Sequence, residues 1–98
     1  MIEVEKQPSE NQPLAFEFAG KLPTGTSLAS GTVSAVRLDA GTTDNSVLAS
    51  TTLTISGTQA RFRVQAGTGG LAYKITALVT LSDGSVLEED LLLNVVGR

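Results

Sequence analysis

The chain has 98 residues, 41% apolar and 17% charged, with a net charge of −3 and a pI near 4.7. That length bounds one domain with a single modest core, and the apolar share is too high for a disordered chain. The acidic balance and the scatter of the seven basic residues argue against nucleic acid as the main partner, because phosphate contacts need clustered Lys and Arg.

Abundant Thr, Ser and Val with ten glycines make a strand composition. Turn signals recur along the whole chain, as in a sandwich or barrel. The first predicted strand is 2–5 (IEVE), inside a polar stretch of thirteen residues with Pro8 and Pro13 that reads as an N-terminal arm or edge strand. Ile2 and Val4 are its apolar docking candidates. The body, residues 14–98, opens with a strand at 14–19 (LAFEFA), placed just after Pro13, which cannot donate to a ladder. Residues 20–31 predict a loop with a turn at Pro23-Thr24-Gly25, followed by strands at 32–39 and 47–55 around a second loop at 40–46, the latter strand either continuous or broken near Ser50. A strand at 60–65 alternates Ala60, Phe62 and Val64 against Arg61, Arg63 and Gln65. The glycine-rich 67–70 segment, including Gly70, permits positive φ before the last two strands, 71–81 and 86–96.

Those last strands form a hairpin around Asp83-Gly84. A two-residue turn there sets Glu88 and Asp90 opposite the apolar Val79 and Ala77. A three-residue loop, Ser82-Asp83-Gly84, shifts the parity by one and faces Val79 with Leu87, Ile75 with Leu91 and Tyr73 with Leu93. Each one-residue slip flips every side chain, so parity selects the three-residue loop with Gly84 in the left-handed position. Only Glu89, opposite Ala77, is then misplaced. The same register leaves Leu78, Val86, Leu92 and Val96 on the outer face, as a docking surface or as ordinary exposed apolar residues.

There is no His and no Cys, so nucleophile–base pairs of the Ser-His or Cys-His kind and zinc sites built on those ligands cannot form. The absence of cysteine also favours synthesis in the cytoplasm over a disulfide-stapled secreted domain. The N-terminus carries no signal-peptide pattern, and no apolar run reaches the length of a membrane helix. Gly67-Thr68-Gly69-Gly70 has no following Gly-Lys-Ser/Thr and reads as a turn, not a phosphate loop. In Glu88-Glu89-Asp90 only the outer two share a face, which suits a charged edge better than a calcium cage or a catalytic carboxylate pair. No catalytic, cofactor-binding or metal residues are assigned, and no cofactor is expected. Without Trp, and with one Tyr, the chain has no stacking platform for sugars or bases. Tyr73, just after the glycine loop, stands either at the tyrosine-corner position of immunoglobulin-like folds or as an ordinary core tyrosine.

Three motifs carry a family resemblance over roughly residues 13 to 98. They are Leu22-Pro23-Thr24-Gly25 before Ser27-Leu28-Ala29-Ser30, the Gly-Thr-Gly-Gly-x-x-Tyr turn from Gly67 to Tyr73, and an Asp-Gly hairpin into a strand ending Val-Val-x-Arg. In these the chain resembles small immunoglobulin-like structural proteins of tailed bacteriophages, nearest the phage fibre–tail adaptors and related head–tail connector proteins. Many members carry Trp in strand B, where Val33 or Val36 stands here. The reading is an all-β protein, an antiparallel immunoglobulin-like β-sandwich of about seven strands. The resemblance implies a non-enzymatic virion protein, made in the host cytoplasm, whose partners are tail, neck or fibre proteins. It implies several copies around a symmetric ring, with no nucleic acid and no membrane. A capsid decoration protein and a domain of a bacterial surface adhesin are the alternatives.

Overall fold

The computed structural model describes residues 2–96. The side chain of Ile2 lies outside the described set, as does Arg98, the last residue of the resemblance. The fold is a two-layer all-β sandwich. Its strands are β1 (Ile2–Lys6), β2 (Gln12–Glu17), β3 (Leu28–Arg37), β4 (Thr42–Thr43), β5 (Thr54–Ser56), β6 (Gln59–Val64), β7 (Ala72–Leu81) and β8 (Val86–Val95). One sheet runs β1-β8-β7-β3-β4, the other β2-β6-β5. Every pairing is antiparallel except β1 with β8, which is parallel.

Alternation explains the layers. In β6, Ala60, Phe62 and Val64 are buried while Arg61 and Arg63 are exposed. In β7, Tyr73, Ile75, Ala77, Val79 and Leu81 turn inward. Phe16 and Phe62 stack between β2 and β6 with ring centroids 5.4 Å apart, a geometry that adds to their area burial. Of the two residues at the usual tryptophan position, Val33 is in the core and Val36 is half-buried, both on β3.

The β7–β8 ladder pairs Val79 with Leu87, Ile75 with Leu91 and Tyr73 with Leu93. The Leu81 N–H bonds Ser85 O at 2.7 Å, and Gly84 sits at φ +90°, closing the three-residue loop. Glu89 does face Ala77 on the inner side. Its carboxylate is met by the Lys21 ammonium, carried there by the short 3-10 turn Ala19–Lys21.

Three strand expectations change: the one at 14–19 lies two residues earlier, at Gln12–Glu17, and takes in Pro13. The strand predicted at 32–39 begins four residues earlier, at Leu28, and ends at Arg37. The strand predicted at 47–55 is broken, as the option of a break near Ser50 allows, and most of it is not strand. Val47 ends a 3-10 turn, Leu48 bridges Val64 in one sheet, Thr52 bridges Thr32 in the other, and only Thr54–Ser56 is a strand. The segment crosses between layers, so no single ladder can hold it. At the N-terminus β1 lies along β8 as an edge strand, with Val4 opposite Leu93.

Candidate interaction surface

The outer-face residues expected to dock are spread rather than gathered. Leu78 is 45% exposed and Val86 60% exposed. Between them and the rest lie polar neighbours: Leu78 stands between Thr32 and Glu88, and Val86 beside Thr80. Leu92 is half-buried between Glu3 and Lys74. Val4 departs from the expectation: its side chain packs against the core, because parity with Leu93 turns it inward. Val96 is half-buried past the end of β8, its N–H bonding Lys6 O at 2.8 Å. These residues therefore form no continuous apolar patch.

Two polar features were not anticipated. The first is Lys6, only 1% exposed. Its Nζ donates to Gln7 O at 2.7 Å, to Pro8 O at 3.2 Å and to Ala66 O. Ala66 holds φ +47°, and among the described residues it is the one non-glycine with positive φ. Burial lowers the Lys6 pKa from its ordinary 10.5, and the carboxylate of Glu10 pulls it partly back. A buried ammonium is tolerated only when its donors are met, and here three backbone carbonyls meet them. The sequence signal was present: Ile2, Val4 and Lys6 share one parity, so the lysine falls on the inward side of β1.

Lys6 is one part of a knot at that end of the sandwich. Tyr73 is 1% exposed and its hydroxyl accepts from the Thr68 N–H at 3.3 Å. Gly70, at φ +87°, donates its N–H to Val95 O at 2.7 Å. Gly67, at φ +94°, runs so close to Val95 that an added Cβ would come within 2.9 Å of Val95 Cγ2.

The second feature is a groove of about 370 Å³ on the outer side of the small sheet, mostly apolar in its lining, which includes Ala49 and Phe62, with Arg61, Arg63 and the hydroxyl residues Ser50, Thr52 and Thr54 along it. The layer-crossing segment forms one of its walls. Both guanidiniums are exposed and held by neutral amides: Arg61 donates to Gln59 Oε1 at 3.0 and 3.2 Å, and Arg63 to Asn11 Oδ1 at 2.9 Å. The ion pairs among the described residues are Lys21–Glu89, Arg37–Asp39 and Lys74–Asp90, so neither groove arginine is neutralised by a carboxylate there.

No cluster of carboxylates suited to a metal occurs among the described residues, and no helix there is long and apolar enough to cross a membrane. The family model described as podophage GP4 fiber-tail adaptor protein gp77 matches residues 6–94. The chain belongs to that family. No curated protein matches it. The matched span of this fiber-tail adaptor starts at the buried Lys6 and ends inside β8, so it takes in the arginine groove and the knot up to, but not including, Val95. Membership makes the protein a structural component of a phage tail.

Proposed function

We infer that the protein is a non-enzymatic protein–protein adaptor in the tail or neck of a tailed phage, linking the tail or an adaptor ring to fibres. The observation that carries this reading is the family match across residues 6–94, nearly the whole sandwich. The mechanism is rigid display. The sandwich fixes its edges and outer faces, with the N-terminal strand β1 as a docking element ahead of the body that begins at β2. Several copies around a symmetric ring turn weak single contacts into firm attachment, since each further contact becomes effectively intramolecular. Leu78, Val86 and Leu92 on the β7–β8 hairpin are the apolar contact points toward neighbouring virion proteins. The missing His and Cys support a role without acid–base or nucleophilic chemistry. The partners are tail, neck and fibre proteins rather than nucleic acid or membrane, and the protein is made in the host cytoplasm.

Cross-linking mass spectrometry on purified particles tests this. A few to a dozen or so copies, linked to tail or neck proteins through β1 or the hairpin, are expected. Hundreds of copies on the shell would make the protein a decoration protein, and its absence from the particle would overturn the reading.

A further inference from the structure

The small sheet carries two cations outside the ion pairs on its outer surface, with one carboxylate, Glu17, at the end of β2, whereas the β1 edge of the large sheet carries two carboxylates. On the small sheet, Arg61 and Arg63 stand two residues apart on β6, both exposed and free of carboxylate partners among the described residues. On the large sheet, Glu3 and Glu5 stand two residues apart on the edge strand β1, both exposed and in none of those ion pairs. They pair with Leu92 and Asn94, which sets them on the outer side. Two residues along a strand cover about 6.4–6.8 Å, so the spacing of the two cations matches the spacing of the two carboxylates.

We propose that the arginine groove receives the Glu3–Glu5 edge of a second copy of this chain. Each arginine keeps unused N–H donors beyond its amide contact, and guanidinium forks suit carboxylates. The hydroxyls of Ser50, Thr52 and Thr54 supply further polar contacts along the wall. Because the two patches lie on opposite layers of one molecule, the contact is head-to-tail. Such contacts close into rings when the rotation allows. The proposal deepens the adaptor reading by naming the contact between copies, and it rests on that reading for the ring.

The test is sedimentation of the purified full chain over a range of concentrations, at low and high salt. Wild type is expected to self-associate, more weakly at high salt, as exposed charges are screened. Arg61→Glu with Arg63→Glu, and separately Glu3→Lys with Glu5→Lys, are each expected to weaken self-association by roughly tenfold or more. An equimolar mixture of the two doubly substituted chains is expected to recover it, since each then offers the other a complementary patch. Moving the same charge change off the contact, in Asp39→Lys with Glu88→Lys, is expected to leave association as in wild type.

Thermal melts confirm that each chain is folded. If a reversal does not fold, Arg61→Gln with Arg63→Gln replaces it and is expected to weaken association in the same direction. A wild type that stays monomeric at every concentration, a mixture that fails to associate, or an off-contact control that behaves like the reversals overturns the proposal. These failures are distinct from failure of the adaptor reading. A protein present at the tail but monomeric in solution sinks only this contact, whereas a protein missing from particles sinks the adaptor role whatever its sedimentation.

Discussion

Replacing Gly67 by alanine separates two costs that the loop before β7 imposes. The first is conformational: Gly67 holds φ +94°, where a side chain costs roughly 1–2 kcal/mol. The second is steric. The new methyl would sit 2.9 Å from Val95 Cγ2 and 3.3 Å from Val47 Cγ1, and both valines are fully packed, at 2% and 0% exposure. Forcing a methyl into such a site costs typically about 1–3 kcal/mol. Alanine also narrows the unfolded ensemble, which returns about 0.4–1 kcal/mol. The net loss is about 1–4.5 kcal/mol, a large share of the roughly 5–15 kcal/mol that stabilises a domain. For this size it lowers Tm by roughly 5–35 °C. Gly70→Ala is the control: it holds φ +87° with nothing within 4 Å of its would-be Cβ, so only the conformational cost applies. Urea unfolding followed by circular dichroism measures both. In a Val95→Ala background the steric part should shrink and the conformational part remain, a coupling that a double-mutant cycle reads directly. A Gly67→Ala protein no less stable than Gly70→Ala would refute the close approach to Val95.

Leu92→Glu is expected to keep a cooperative unfolding transition with a loss under about 1 kcal/mol, because Leu92 faces outward beside Lys74. Leu91→Glu buries a charge at a 3% exposed site and should abolish that transition; the reverse pattern would mean a slipped register. Acid should weaken the fold through four carboxyls. Glu17 is held below its ordinary range by Thr58, Asp39 by Arg37, Asp44 by Ser46 and Asp83 by Ser85. A depressed folded pKa means the stabilisation is complete above the ordinary values, 3.8 for Asp and 4.5 for Glu, and is lost as pH falls through the folded ones. Urea midpoints at stepped pH should therefore hold near neutrality and drop below that range, and a midpoint flat to strongly acid pH would contradict it. Lys6 acts in the opposite part of the scale. Its lowered pKa makes the unfolded chain bind more protons just below 10.5, so stability should rise as pH climbs toward that value, and Lys6→Met should lose this rise. Equal pH slopes for the two chains would refute the burial of the ammonium.

The hairpin register and the facing of Ala60, Phe62 and Val64 were legible because both follow from period-two alternation, which any half-buried strand must obey. Glu89 was visible as the one residue against that pattern, but its partner was not. Lys21 comes from a loop 68 positions away in the chain, and nothing local signals such an encounter. The layer-crossing stretch after Val47 was misread for a related reason. Its β-branched composition suits a strand, yet its hydrogen bonds are shared between two sheets, Ala49 to Arg63 and Leu53 to Gly31. The arginine groove exists only because that stretch crosses beside β6, so no spacing in the sequence could announce it.

The knot around Lys6 bears on what β1 can do. A polar N-terminal stretch with two prolines suggests a loose arm that orders on its partner, and binding by such an arm loses part of its contact energy to ordering. In the structure β1 makes five paired positions with β8, its last residue fastens to the carbonyl of Ala66, and Val96 closes back on Lys6 O. Gly67 and Tyr73 in turn hold that loop against β8 and β7. The edge carrying Glu3 and Glu5 is therefore positioned before any partner arrives. Loosening the knot, by Lys6→Ala or Gly67→Ala, should weaken any contact made through that edge even though neither side chain touches the partner. A contact unaffected by those changes would place docking on the hairpin face instead.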